Sequence, residues 1–160
     1  MTVAKTLTFY QVEGLNRTLR ALPREATAKL RDASQAIAAK VASDAAAAAR
    51  SQGGIAAIVA PTIRAGRDRV PLVRMGNSSP LPTSGNGWTR GRSGKRQTIG
   101  DVIWGAEFGG GARPTTRQFK PWLGNDTGAG YFLWPTVRGD REFIENAYGD
   151  AILDAVDEAS

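Results

Sequence analysis

Between residues 12 and 52 the apolar side chains fall at Leu15, Leu19, Leu22, Ala26, Leu30, Ala33, Ile37 and Val41. The steps are three or four residues throughout, which places them on one face of an α-helix. Alanine, the strongest helix former, fills much of the second half. Pro23 has no N–H and clashes with a preceding turn, so it suits a first turn and not an unbroken interior. The pattern therefore predicts a short helix over 12–21 and a long one over 23–50, ended by Gly53-Gly54. At 1.5 Å per residue the long helix would run about 42 Å. Its small-residue face permits close approach to a sheet or to a neighbouring subunit.

Beyond residue 55 the period changes. Arg69–Met75 and Thr98–Phe108 are rich in Val, Ile and Trp with rough alternation and predict strands, the first at an edge because of Pro71. Tyr131–Trp134 is a third short apolar run, stopped by Pro135. Long Gly-rich loops, Gly76–Gln97 and Gly109–Gly130, separate these runs. A last helix is predicted over Asp140–Glu158, with Asp140 as N-cap and a stripe of Phe143, Ala147, Tyr148, Ala151, Ile152, Ala155 and Val156. The order predicts a single α+β domain over 1–160, with no internal repeat. A helical segment (12–52) and a C-terminal helix (140–158) pack on one face of a small antiparallel sheet drawn from 55–136.

The chain has 160 residues, enough for one core, and neither Cys nor His. Disulfides, thiolate nucleophiles, Cys-His zinc sites and every triad that needs imidazole or thiol are thereby excluded. No apolar run reaches the 18 or so residues of a membrane span, and Met1–Tyr10 lacks a signal-like core. The expectation is a protein made in a cytoplasm, whose sequons at Asn16, Asn77 and Asn125 occur by chance.

Charge is unevenly placed. Residues 1–66 carry nine Lys/Arg against four Asp/Glu, residues 67–124 ten against three, and residues 125–160 two against eight. The net values of +5, +7 and −6 give the overall +6. Opposite poles can meet on neighbouring copies, or the acidic tail can fold back on its own basic body.

The loop 76–97 concentrates Arg90, Arg92, Lys95 and Arg96 beside Trp88 and contains no acidic residue. Its cations can neutralise phosphate and its indole can stack on a base, or the loop can simply be solvated. A nucleic-acid-binding protein without sequence preference is therefore a reading of its own. Gly91–Lys95 is not a phosphate loop: Thr89 and Arg96 stand where the pattern needs Gly and Ser/Thr. Gly109–Gly111 precedes Pro114 and not a helix, so it is no dinucleotide loop. On a strand, Asp101 and Glu107 would share a face about 20 Å apart, too far to share a metal. Ser93 and Lys95 lack any companion oxyanion hole. The aromatic residues read as core, Trp104 and Phe132 above all, with Trp122 after Pro121 as a subunit contact. No catalytic residue, metal or cofactor is expected.

Several segments occur in a familiar order. A helix pair broken at Leu22-Pro23 leads to Val59-Ala60-Pro61-Thr62-Ile63. Trp104-Gly105-Ala106-Glu107-Phe108-Gly109-Gly110 follows, then Tyr131-Phe132-Leu133-Trp134-Pro135-Thr136 before the last helix. Over nearly its whole length the chain resembles the tail-completion or neck proteins of long-tailed bacteriophages, the group of the lambdoid minor tail protein Z and its gene-product-ten-like relatives. The resemblance implies a non-enzymatic virion part at the head–tail junction, working as a homohexameric ring. Its partners would be a head-closure or connector protein and a tail terminator or tail tube protein, with no membrane; tail terminator is the close alternative role. Closed rings need one patch to meet a different patch on the next copy. The candidate patches are Arg113, Arg117 and Trp122 on the basic side and Asp150, Asp154, Asp157 and Glu158 on the acidic helix. Trp88, Arg90, Arg92, Lys95 and Arg96 would face lumenal DNA or a neighbouring ring.

Overall fold

The computed structural model describes residues 19–82, 96–110, 119–123 and 129–158. Its spine is α1, Arg24–Gln52. Leu19–Ala21 are helical and the chain bends at Leu22. Pro23 then sits in extended conformation at the N-cap, with its carbonyl accepting from the Thr27 N–H at 2.9 Å. The proline thus divides the helical segment as its chemistry requires. At the other end Gly53 adopts φ 71° and returns its N–H to the Arg50 carbonyl. The rest of the expected first helix, 12–18, lies outside the described residues.

The chain turns at once into α2 (Gly54–Val59) and a 3-10 turn (Ala60–Thr62). Next comes the antiparallel hairpin of β1 (Arg64–Gly66) and β2 (Leu72–Arg74), paired Arg64 to Arg74, Ala65 to Val73 and Gly66 to Leu72. β2 is shorter than the expected strand because it can begin only after Pro71. The hairpin lies on α1. Its connecting loop is tied down by the Arg69 carbonyl, which accepts from Ser34 Oγ of α1 at 2.9 Å and from the Tyr148 hydroxyl at 3.0 Å.

Thr98–Phe108 is not a strand. Ile99–Phe108 forms α3, opened by a cap in which the Asp101 carboxylate accepts from both the N–H and the Oγ1 of Thr98. These two bonds hold the Asp101 carboxyl below the usual carboxylate range, the backbone one most strongly. Val102 and Ala106 are buried and Ile99 and Ile103 partly so, a helical spacing that the β-branched content obscured. Asp101 and Glu107 therefore do not share a strand face. Tyr131–Trp134 is also not a strand: α4 (Leu133–Gly139) begins inside it, and Pro135 occupies the first turn instead of stopping the element. The last helix, α5 (Arg141–Asp157), falls where the periodicity placed it. Asp140 stands at its N-cap position, but the carboxylate turns to Lys40 of α1 at 3.3 Å and makes no cap bond.

The architecture is α+β, with helices packed on a small two-stranded antiparallel sheet. α5 runs antiparallel to α1, since Glu158 pairs with Lys29 and Asp140 with Lys40. Two apolar clusters share α1. Toward its N-terminus Leu19, Ala26 and Leu30 meet Ala155 of α5. Toward its C-terminus Ala42, Ala45, Ala46 and Ala49 meet α2, α3, Leu81 and Phe132. The alanine face is thus consumed by the chain's own elements. The length of the helix is explained by its serving two clusters end to end, without a neighbouring copy.

Candidate functional site: the Glu107 clamp and the surfaces around it

Near the end of α3 the Glu107 side chain is buried, with 1% of its surface exposed. Its carboxylate accepts the N–H groups of Phe132 (3.3 Å), Leu133 (2.9 Å) and Trp134 (2.8 Å). These are orphan donors of a helix start, which have no partner within α4. The next residue is Pro135, which has no donor to satisfy, and the Thr136 N–H returns to the Phe132 carbonyl at 3.2 Å. The first turn of α4 is thereby fully accounted for by one side chain and one proline.

The residues after Glu107 extend the clamp. The Glu107 carbonyl accepts from the Tyr131 N–H at 2.8 Å, the Phe108 carbonyl from Leu123 at 3.1 Å, and the Lys120 carbonyl from Gly110 at 2.9 Å. The Tyr131 hydroxyl donates to the Pro121 carbonyl at 2.8 Å. Gly109, at φ 88°, leaves only 2.1 Å between a would-be Cβ and the Pro121 oxygen, so no side chain fits. A Cβ at Gly130 would fall 2.4 Å from Glu107 Oε1. Three stretches distant in sequence, 105–110, 119–123 and 130–136, form one unit around this carboxylate. Gln52, at the end of α1, joins it through Nε2 to the Tyr131 carbonyl at 3.1 Å and through Oε1 to Lys120 Nζ.

Burial pushes the Glu107 carboxyl above the usual carboxylate range. The N–H groups of Trp134, Leu133 and Phe132, and then the Arg138 guanidinium, pull the other way without offsetting it. A carboxyl that holds its proton more tightly folded than unfolded contributes most to stability below its unfolded value. That contribution is lost as pH rises through the folded value. The stability of the wild-type protein relative to Glu107→Gln should therefore fall as pH rises above 4.5, the ordinary value for this group, and then level off. Urea unfolding of both proteins across that range measures it; effects of Asp101 cancel in the comparison.

Three of the chain's tryptophans lie on these segments or just before them, and all three are exposed. Trp104 is not core: it is 71% exposed and stacks on Phe108 with ring centroids 5.4 Å apart. Trp122 and Trp134 are about half exposed, and Leu123, next to Trp122, is exposed. Phe132, in contrast, is fully buried, as its sequence context indicates. The exposure of Trp122 leaves it accessible to a partner.

The other candidate residues are dispersed. Trp88, Arg90, Arg92, Lys95, Arg113 and Arg117 lie outside the described residues. Arg96 is exposed, with Nη2 3.5 Å from the Leu81 carbonyl. The two ends of the basic loop are joined by Leu81 N–H to Gln97 carbonyl (3.0 Å) and Ile99 N–H to Ser79 carbonyl (2.9 Å), so its root is fixed on α3. Asp150, Asp154 and Asp157 are exposed on α5, whereas Glu158 is engaged by Lys29 of the same chain. Part of the acidic tail thus folds back on its own body.

The role of Glu107 was not read from the sequence. The available signal was Pro135, which makes Phe132–Trp134 a helix start in need of an acceptor. Among the described residues no group of His, Cys, Asp and Glu is placed to hold a metal, and no helix is long and apolar enough to cross a membrane. The arrangement presents a carboxylate occupied by backbone donors, on segments that also carry the exposed Trp104, Trp122 and Trp134. No family model, curated protein or solved structure matches the chain.

Proposed function

We propose that the protein is a structural subunit of a phage head–tail junction, a neck or tail-completion part that assembles as a ring and joins the capsid connector to the tail. One observation carries this reading. Two of the four segments that carry the resemblance in order, Trp104–Gly110 and Tyr131–Thr136, are joined through the Glu107 carboxylate and the Phe132–Trp134 N–H groups. Their co-occurrence in order then reflects one physical device, and the segments it joins carry the exposed Trp104 and Trp134. Because the alanine face of α1 is filled from within, the case for a ring rests on these surfaces and on charge, not on the length of the helix.

The test is genetic and visual. Interrupting the gene in the phage that carries it should give filled heads and complete tails that do not stay joined, seen by electron microscopy of lysates. Overlong tail tubes would instead indicate the tail terminator role, since an uncapped tube continues to add subunits. Normally joined, infectious particles would overturn both.

A further inference from the structure

We propose that the outward face of the β1–β2 hairpin is the receptor for the exposed face of α5 on a neighbouring copy of the chain; this rests on the ring reading above. The hairpin turns Val73 toward the core, which leaves Arg64, Leu72 and Arg74 on its other face by the two-residue alternation of strands, with the buried Gly66 beneath Leu72 and Arg74. The register sets Arg64 directly opposite Arg74, and both are exposed. Like charges directly opposite each other work against pairing. Neither arginine has an ion-pair partner among the described residues, although Arg67, just beyond β1, pairs with Asp32 at 2.8 Å. The hairpin's own acid, Asp68, is turned onto the Arg69 N–H at 2.7 Å. Arg74 Nε comes within 3.1 Å of where a Gly66 Cβ would stand, so the absent side chain gives the guanidinium room to lie along the strand. Leu72 is partly exposed and Val70 exposed at the same hairpin.

The proposed occupant mirrors this pattern in sign. On α5 the residues Asp150, Leu153, Asp154 and Asp157 follow the spacing of one helical face, and all are exposed, Leu153 at 63%. The packed side of the same helix is Tyr148, Ala151, Ile152 and Ala155. Asp150 and Asp154 are one turn apart, about 6 Å along the axis. The Cα atoms of a directly opposed antiparallel pair are about 4.5–5.5 Å apart. The backbone spacings of the two aspartates and the two arginines thus agree to within about 2 Å, which long side chains can bridge, and the proposed contact sets Leu153 against Leu72 and Val70. Charge-assisted pairs of this kind also fix orientation. The two patches differ, so the contact is head-to-tail and closes into a ring when its rotation does.

Two charge-reversed proteins test it, each measured by analytical ultracentrifugation: Arg64→Glu/Arg74→Glu and Asp150→Lys/Asp154→Lys. Each alone should remain monomeric at concentrations where the wild type is assembled. Mixed in equal amounts they should assemble again, because each supplies the complement that the other lacks. One chain carrying all four changes should assemble alone, and wild-type assembly should weaken with salt. If either reversed protein keeps the wild-type size, or the mixture stays monomeric, the contact is wrong. If Arg64→Glu/Arg74→Glu keeps its assembled size but loses retention of a short double-stranded DNA, the arginines meet phosphate and the proposal falls. A monomeric wild type in a phage that still needs the gene for head–tail joining would refute this contact and leave the proposed function standing.

Discussion

Replacing Glu107 with alanine should lower the unfolding free energy by about 3–4 kcal/mol. Leaving a buried donor unsatisfied costs roughly 1–3 kcal/mol, and here three donors lose one acceptor, two of them only partly buried. For a chain of this size that corresponds to a fall of roughly 6–16 °C in Tm. Glu107→Gln keeps the shape and one acceptor oxygen but turns an NH2 group toward N–H donors, so it should recover only part of the loss. Glu107→Asp is shorter by one methylene and should resemble the alanine variant. Thermal and urea unfolding measure these differences, and hydrogen exchange should show the loss of protection centred on the amides of 131–136. A Glu107→Ala protein that unfolds with the wild type would show that the clamp does not hold α4. Under the proposed neck role, the same substitution should also reduce head–tail joining in virions, because Trp134 and the Trp104–Phe108 stack lie on the segments that the clamp unites.

Truncating Phe132 to alanine should cost about 3–5 kcal/mol, the usual range for deleting a buried phenylalanine ring. The ring is fully enclosed in the cluster where the alanines of α1 meet α2 and α3. Those neighbours are backbone-close, alanine-rich surfaces with little freedom to collapse into the space, which favours the upper part of the range. Phe132→Leu should cost less, since it restores most of the volume. Trp104→Ala, although it removes a larger side chain, should cost no more than about 1.5 kcal/mol, the loss of its stack on Phe108, because Trp104 is mostly in solvent. Urea midpoints with unchanged slopes would establish the order Phe132 above Trp104. The reverse order would mean that Trp104 is covered in the free protein.

How much of this was legible follows from how far each determinant reaches along the chain. α1 and α5 were found almost to the residue because their signals are local: three- and four-residue apolar spacing, Pro23 at an entry and Gly53 at an exit. The buried positions Leu30, Ile37 and Val41 came from the same spacing, Phe132 from the large area an aromatic ring buries, and the α+β class from the order of elements. α3 and α4 were missed for a different reason. Their β-branched and aromatic residues favour strand in isolation. Thr98 and Asp101 open one helix, and a carboxylate some 25 residues upstream opens the other. Propensity is a weak preference that a satisfied helix end and a buried face override.

Burial of individual side chains required the assembled molecule. Composition alone placed Trp104 inside with Phe132, but only the neighbours brought by distant segments determine which ring is enclosed. The alanine face of α1 was likewise open to a sheet or another subunit, until α2, α3 and Phe132 were seen to occupy it. Periodicity and end chemistry act over a few residues and are written in the sequence. Which surface is left for a partner depends on contacts across the whole chain, and these exist only once it has folded.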